Sequence, residues 1–174
     1  TTGLRVSEAR RLSCSDVDLR AGGVTVREGK FRKSRLVPVH PTVLAALRRY
    51  AAARDRCRIA PRSEYFFRTE RLAGLSRQAI QATFEKLRQR LGWTAEGRAR
   101  LPRIHDLRHA FVVRRVLRWH EQGADVDRRM AHLATYLGHA KVTDTYWYLT
   151  AVPELMALTA RRFERFAWEQ GGAS

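Results

Sequence analysis

The side chains best suited to chemistry in this sequence are arginines, histidines, a lysine and tyrosines spread along its length. A guanidinium stays charged at any working pH and binds oxyanions bidentately. A phenol becomes a strong nucleophile only after it loses its proton to a base or in a strongly positive pocket. Taken alone, each candidate also has an ordinary interpretation: His105 and Arg108, three residues apart on one helical face, would suit a solvated basic surface. The candidates are Arg5, Lys30, His105, Arg108, His139 and Tyr148.

Short motifs place these candidates in a fixed order along the chain. The motifs are Thr2-Gly3-Leu4-Arg5-Val6-Ser7-Glu8, Gly29-Lys30 with Arg35-Leu36-Val37-Pro38, His105-Asp106-Leu107-Arg108-His109, and Leu137-Gly138-His139. Tyr148 stands nine residues after His139. This ordered set resembles the catalytic domain of the tyrosine recombinase, or phage-type integrase, family. The resemblance covers essentially the whole chain.

The resemblance implies a site-specific recombinase or integrase that cleaves and rejoins DNA through a covalent 3′-phosphotyrosyl intermediate. Attack on a phosphodiester concentrates negative charge on the non-bridging oxygens, and Arg5 and Arg108 are the expected clamp for these oxygens. By the same resemblance, Tyr148 is the expected nucleophile and His105 its base. His139 is expected to donate a hydrogen bond to the phosphate.

Two further residues receive supporting roles from the resemblance. Lys30, on a hairpin tip, matches the family's position for the acid that protonates the departing 5′ oxygen. Glu8, one helical turn after Arg5, matches a carboxylate that holds the cationic cluster in place. A helix-surface salt bridge that contributes little is an equally good interpretation of Glu8. Because a phosphotyrosine conserves the energy of the broken bond, we expect no cofactor and no metal.

The identity of the nucleophile and the class of function each have alternatives in the sequence. Tyr146 and Tyr136 are the rival tyrosines, but spacing from His139 favours Tyr148. In a helical turn Tyr146 points in a different direction from Tyr148, and packing is its expected role. The alternatives to a recombinase are a catalytically silent DNA-binding remnant of an integrase and a type IB topoisomerase-like enzyme, which shares the chemistry.

The charge balance predicts a polyanionic partner. Lys and Arg number 34 against 17 Asp and Glu, for a formal net charge of +17. The basic residues are interleaved with apolar ones, which favours a folded nucleic-acid binder, with membrane surfaces and heparin-like ligands as alternatives. Double-stranded DNA is the expected partner, and the resemblance implies a homotetramer on paired DNA sites. Two cysteines and no long apolar run indicate a cytoplasmic protein without a disulfide framework, a metal cluster or a membrane span, and the expected DNA partner implies that it is nucleoid-associated.

These residues must be positioned by a mainly α fold with a small antiparallel β-sheet (α+β), which periodicity and resemblance both indicate. Strands at residues 24–26 and 36–39 form a hairpin in which Pro38 favours an edge position, and a short third strand is predicted at residues 64–67. Helices are predicted at residues 5–12, 41–56, 76–91, 105–121 and 126–137.

Two more expectations concern packing and domain organisation. The helix at residues 76–91 is predicted to bury Ile80, Phe84, Leu87 and Leu91. A terminal helix from Pro153 suits docking on its own domain or on a neighbouring protomer. We expect residues 1–174 to form one catalytic domain, truncated at its N-terminus and without the family's N-terminal core-binding domain.

Overall fold

The computed structural model describes residues 2–27, 34–56, 63–69, 73–95 and 100–146. Three strands and six α-helices are found there, and a 3-10 turn covers Cys14–Asp16. The strands are β1 (Val17–Asp18), β2 (Gly23–Val26) and β3 (Arg35–Pro38). The helices are α1 (Val6–Arg11), α2 (Pro41–Arg56), α3 (Arg77–Arg90), α4 (Asp106–Glu121), α5 (Val126–Leu137) and α6 (Thr143–Tyr146). The prediction of a mainly α fold with a small antiparallel sheet is confirmed.

The sheet is antiparallel, with the strand order β1-β2-β3. Val24 in the central strand pairs with Val17 on one side and with Val37 on the other. The edge position of β3 agrees with the prediction from Pro38, whose missing N–H an edge strand tolerates. The hairpin tip that carries Lys30 lies outside the described residues.

The third strand predicted at residues 64–67 is wrong. The segment forms one isolated bridge, Ser13 to Tyr65, and the third strand of the sheet is β1. Backbone hydrogen bonds from Cys14 N to the Glu64 carbonyl and from Phe66 N to the Leu12 carbonyl attach the segment to the connection after α1. It therefore serves to bury Phe66 in the core rather than to extend the sheet.

Local signals fix the ends of the long helices. The Ser76 Oγ accepts a hydrogen bond from Ala79 N at 3.0 Å and caps α3 as predicted. Gly138 ends α5 in the left-handed conformation, with φ 69°. The predicted buried stripe of α3 is partly wrong, because Phe84 is buried but the side chains of Leu87 and Leu91 are largely exposed. Helical spacing defines a face, but it cannot tell how much of that face a neighbour covers.

Two hydrophobic clusters meet close to the candidate site. The first joins the sheet to α2 and Phe66, and the second lies between α4 and α5 around Val116 and Met130. Tyr136 packs against both clusters, and its ring stacks on Phe111 with a centroid distance of 5.9 Å.

No helix in the described ranges is long and apolar enough to cross a membrane. The helix predicted from Pro153 lies outside those ranges.

Candidate active site

Arg108 connects three separate parts of the chain. It lies in the first turn of α4 and is 3% exposed. Its Nη1 donates to the Gly3 carbonyl, and its Nη2 donates to the Leu137 carbonyl at 2.9 Å and contacts His139 Nε2 at 2.9 Å. The predicted motifs around Gly3, Arg108 and His139 are therefore brought together at one point.

Arg5 reaches the same carbonyl from α1. It is the N-cap residue of that helix, and its guanidinium lies 3.5 Å from the carbonyl oxygens of both Leu137 and Gly138. The last carbonyls of a helix have no partner within the helix and carry the negative end of its dipole, so they attract cations. Arg5 and Arg108 share the Leu137 oxygen as an acceptor, which places the two guanidiniums side by side at the C-terminal end of α5.

Glu8 is buried between two arginines. Its carboxylate accepts hydrogen bonds from Arg5 N at 2.9 Å and Arg5 Nη1 at 2.8 Å, and from Arg35 Nη1 and Nη2 at 3.1 and 3.0 Å. Burial raises the pKa of Glu8, but the hydrogen bonds from Arg35 and from the Arg5 backbone outweigh it and leave the pKa below its ordinary value. A helix-surface salt bridge does not describe this geometry.

Arg35 is a site residue that the sequence reasoning missed. It begins β3, its Nε donates to the Tyr136 carbonyl at 2.8 Å, and its other nitrogens hold Glu8. A Cβ at Gly138 would lie 2.6 Å from the Arg35 Nη1, so Arg35 occupies space that only glycine leaves open. Arg35 begins the motif Arg35-Leu36-Val37-Pro38, but its partners are 27 and 101 residues away, and spacing along the chain does not predict such contacts.

His139 is held through both ring nitrogens. Its Nδ1 lies 2.7 Å from the Oγ1 of Thr145, and its Nε2 lies 2.9 Å from the Nη2 of Arg108. Thr145 is fully buried and was also missed by the sequence reasoning, because a threonine in a short helix has no distinguishing signal. The geometry makes His139 part of the arginine cluster.

His105 lies at the start of α4, on the exposed side of the cluster. It lines a cavity of about 410 Å³ together with Arg5, Arg10 and Arg77. Partial desolvation and the positive charge of Arg108 lower the pKa of His105 from its usual value of 6.5. The shift favours the neutral imidazole, which is the form that a general base needs.

The hydroxyls of the two rival tyrosines, Tyr136 and Tyr146, contact partners other than the arginine cluster. The Tyr146 hydroxyl donates to the Asp127 Oδ1 at 2.7 Å, a bond that raises the pKa of Tyr146. Asp127 lies at the opposite end of α5 from Leu137, about 15 Å away at the helical rise per residue. The Tyr136 hydroxyl contacts the Pro38 carbonyl at 3.4 Å, and burial raises its pKa. Tyr148 and Lys30 lie outside the described residues, so their roles stay predictions.

Acidic, histidine and cysteine side chains do not form a metal site in the part of the chain that the structure describes. No group of three or more of them is arranged there to hold a metal ion. The carboxylates nearest the cluster are already engaged, since Glu8 binds Arg5 and Arg35, and Asp106 binds Arg100. The described side chains of the cluster are mainly arginines, so the cluster carries positive charge.

Comparison with known proteins identifies the family. Residues 1–154 match the profile described as the Phage integrase family. The chain is 45% identical over 174 residues to "Putative integrase/recombinase y4rE" of Sinorhizobium fredii, covering 100% of this chain and 54% of that protein. It is 38% identical over 151 residues to tyrosine recombinase XerD of Mycobacterium tuberculosis, covering 85% of this chain and 44% of that protein.

A solved structure agrees with these relatives. The crystal structure of XerA recombinase superposes with a TM-score of 0.73 at 26% identity, covering 92% of this chain and 52% of that one. The chain spans about half the length of the curated relatives it matches. On the match over residues 1–154, the chain belongs to the phage integrase family of tyrosine recombinases.

Proposed function

We propose that this chain is the catalytic domain of a site-specific DNA recombinase that cleaves and rejoins strands through a 3′-phosphotyrosyl intermediate. The observation that carries the proposal is the convergence of Arg5, Arg108 and His139 on the end of α5. His105, on the exposed side of this cluster with its pKa lowered in favour of the neutral form, adds support. The substrate is double-stranded DNA, consistent with the net charge of +17.

Arg5 and Arg108 differ in how firmly the protein holds them, and this difference suits them to different roles in phosphate binding. Arg108 is buried and fixed by backbone carbonyls on α5 and before α1, so its guanidinium is preorganised. Arg5 is more exposed and makes only long contacts of 3.5 Å to its carbonyl partners. A phosphate oxygen can replace those weak contacts with strong charge-assisted hydrogen bonds.

The reaction exchanges one phosphodiester for another. The Tyr148 oxygen gives its proton to His105 and attacks the phosphorus, and the bond to the 5′ oxygen breaks. Lys30 donates a proton to that leaving oxygen, which becomes a free 5′ hydroxyl. A 5′ hydroxyl from a second strand reverses these steps, and because the phosphotyrosine keeps the bond energy, the cycle needs no cofactor.

The number of strands to be cut indicates how many copies of the chain assemble on DNA. Exchange between two duplexes requires four cleavages, and one active site per strand means a homotetramer on paired DNA sites. Residues 1–174 supply the catalytic domain. DNA binding should weaken with salt, because each phosphate neutralised by Lys or Arg releases counterions.

Trapping on a nicked duplex tests the proposal. A nick just downstream of the cleavage point lets the short 5′-hydroxyl fragment diffuse away, so the covalent complex accumulates on a denaturing gel. Wild type, Tyr148→Phe and Tyr146→Phe are compared on duplexes drawn from the DNA that flanks the coding sequence. Tyr146→Phe is the matched control, because the Tyr146 hydroxyl binds Asp127 away from the cluster.

The expected result is a covalent band that only Tyr148→Phe abolishes. A band that survives Tyr148→Phe would refute the assignment of the nucleophile. DNA binding without any covalent band would favour the silent remnant. Relaxation of supercoiled DNA by a monomer, without exchange between sites, would favour a type IB topoisomerase.

A further inference from the structure

Thr145 places a buried hydroxyl against the ring of His139. Its side chain is 0% exposed, and its Oγ1 lies 2.7 Å from the Nδ1 of His139. Thr145 lies in α6, and its backbone N–H donates to the Val142 carbonyl at 2.8 Å, which fixes the backbone position from which the side chain extends. The hydroxyl and Arg108 contact different nitrogens of the ring.

The contact with Arg108 decides which ring nitrogen carries the proton. A guanidinium only donates hydrogen bonds, so the His139 Nε2, 2.9 Å from the Arg108 Nη2, must accept one. A neutral imidazole that accepts at Nε2 carries its proton on Nδ1. The Thr145 Oγ1 then accepts the Nδ1–H hydrogen bond.

This arrangement is the reverse of the one that the reaction needs. Under the proposed function His139 donates to the phosphate, so Nε2 must gain a proton, which solvent supplies. The Nδ1 proton then either returns to solvent, leaving a neutral ring, or stays, giving an imidazolium. A hydroxyl can pair with Nδ1 in both cases, because it donates as well as accepts, whereas a carbonyl or a carboxylate only accepts.

We propose that Thr145 is a positioning residue that holds His139 through Nδ1 in both proton states, so that Nε2 changes from an acceptor for Arg108 into a donor for the phosphate when DNA binds. The proposal rests on the proposed function for the DNA-bound state. Its statement about the free protein depends only on the contacts of His139. The second ring nitrogen of a functional histidine is commonly fixed by such a partner.

Nitrogen NMR of the full chain tests the free state directly. With ¹⁵N-labelled histidine, long-range ¹H–¹⁵N correlation distinguishes a protonated from an unprotonated ring nitrogen, and loss of a signal in His139→Gln assigns it. In the free wild type we expect Nδ1 protonated and Nε2 unprotonated. A protonated Nε2 in the free protein would overturn the proposal without any Thr145 variant.

The DNA-bound state is tested in the Tyr148→Phe background, in which no cleavage occurs. On an uncleaved duplex we expect Nε2 to become protonated. Adding Thr145→Val, which keeps the shape but removes the hydroxyl, should release the ring at Nδ1 and speed solvent exchange of the Nε2 proton, because its hydrogen bond to the phosphate loosens, while Thr145→Ser should behave as the parent. Equal exchange rates of the Nε2 proton in the Val and Thr proteins would overturn the proposal.

Cleavage kinetics give a second readout with Tyr148 intact. Thr145→Val should slow single-turnover formation of the covalent complex on the order of tenfold, the effect of one lost hydrogen bond, with DNA affinity unchanged. Thr145→Ser should restore the rate to within about threefold of wild type. If Ser were as slow as Val, the methyl group and not the hydroxyl would matter, and the positioning role would be wrong. The nucleophile is tested separately by Tyr148→Phe, so the two proposals can fail independently.

Discussion

Replacing Glu8 by glutamine tests the charge balance beneath the arginine cluster. Its carboxylate accepts four hydrogen bonds, two from Arg5 and two from Arg35. Glutamine keeps one oxygen and turns the other into an NH₂ group, which cannot accept from an arginine or a backbone N–H. The variant also leaves two neighbouring guanidiniums without the negative charge between them.

The magnitude follows from the contacts at the oxygen that is lost. Glu8 Oε2 accepts from Arg5 N at 2.9 Å and from Arg35 Nη2 at 3.0 Å. Hydrogen bonds to a charged group contribute about 1.5 to 3 kcal/mol each, and we take the lower value because the Arg35 side chain keeps some exposure, 11%. We therefore expect Glu8→Gln to lower the free energy of unfolding by about 3 kcal/mol, a melting temperature lower by roughly 6 to 12 °C.

The loss should depend on pH in a definite direction. Because the pKa of Glu8 is lowered in the folded state, its contribution is fully present above the unfolded pKa of about 4.3 and is lost as pH falls through the folded value. Glutamine does not titrate. The difference between wild type and variant should therefore be largest near pH 7 and shrink below about pH 4, as measured by urea unfolding at both pH values.

The matched control is Glu85→Gln on α3, an exposed carboxylate that accepts a hydrogen bond from Gln81. It should change the free energy of unfolding by less than about 0.5 kcal/mol at either pH. Two results would refute the reasoning: a loss of unfolding free energy below about 1 kcal/mol for Glu8→Gln at pH 7, or a loss of the same size at pH 7 and pH 4. Either would show that the negative charge of Glu8 does not stabilise the fold through the two arginines.

Three further predictions use matched variants. Gly138→Ala should cost about 1 to 2 kcal/mol more in urea unfolding than Gly123→Ala, since both positions have positive φ but only Gly138 is crowded by Arg35; equal costs would contradict the close contact. Arg35→Gln should slow covalent-complex formation about 10- to 100-fold. Arg35→Lys should recover only part of the lost rate, because lysine lacks the bidentate fork; full recovery with lysine would show that the positive charge alone, and not the fork, is what the site needs. Cleavage by wild type should rise with pH through an apparent pKa below 6.5, because His105 must be neutral to act as a base, and the limb should vanish in His105→Gln; an unchanged limb would exclude His105 as its origin.

The parts of the fold that sequence predicted well are those set by local chemistry. The helix at residues 41–56 was predicted with the bounds that the structure has, because Pro41 suits a first helical turn. Ser76 and Gly138 mark helix ends through contacts within a few residues. These signals act within a few residues, so they predict the helix ends correctly without knowledge of the tertiary contacts.

The parts that sequence missed depend on contacts between distant segments. The short strand β1 has only two residues, too few for an alternating pattern, and its pairing with β2 defines it. Leu87 and Leu91 have helical spacing but remain exposed, since periodicity does not reveal coverage. Arg35 and Thr145 join the site only because folding brings Glu8 and His139 to them.

The motif Leu137-Gly138-His139 can now be explained residue by residue. The Leu137 carbonyl ends α5 and binds Arg108 and, more loosely, Arg5. Gly138 turns the chain with positive φ and leaves room for the Arg35 guanidinium. That turn brings the His139 ring back to Arg108, the same arginine that holds the Leu137 carbonyl. The three positions therefore serve one purpose, which is to gather arginines at a helix end whose dipole favours cations. The same arginines stabilise the fold, so we expect substitutions in this motif to lower stability and cleavage together.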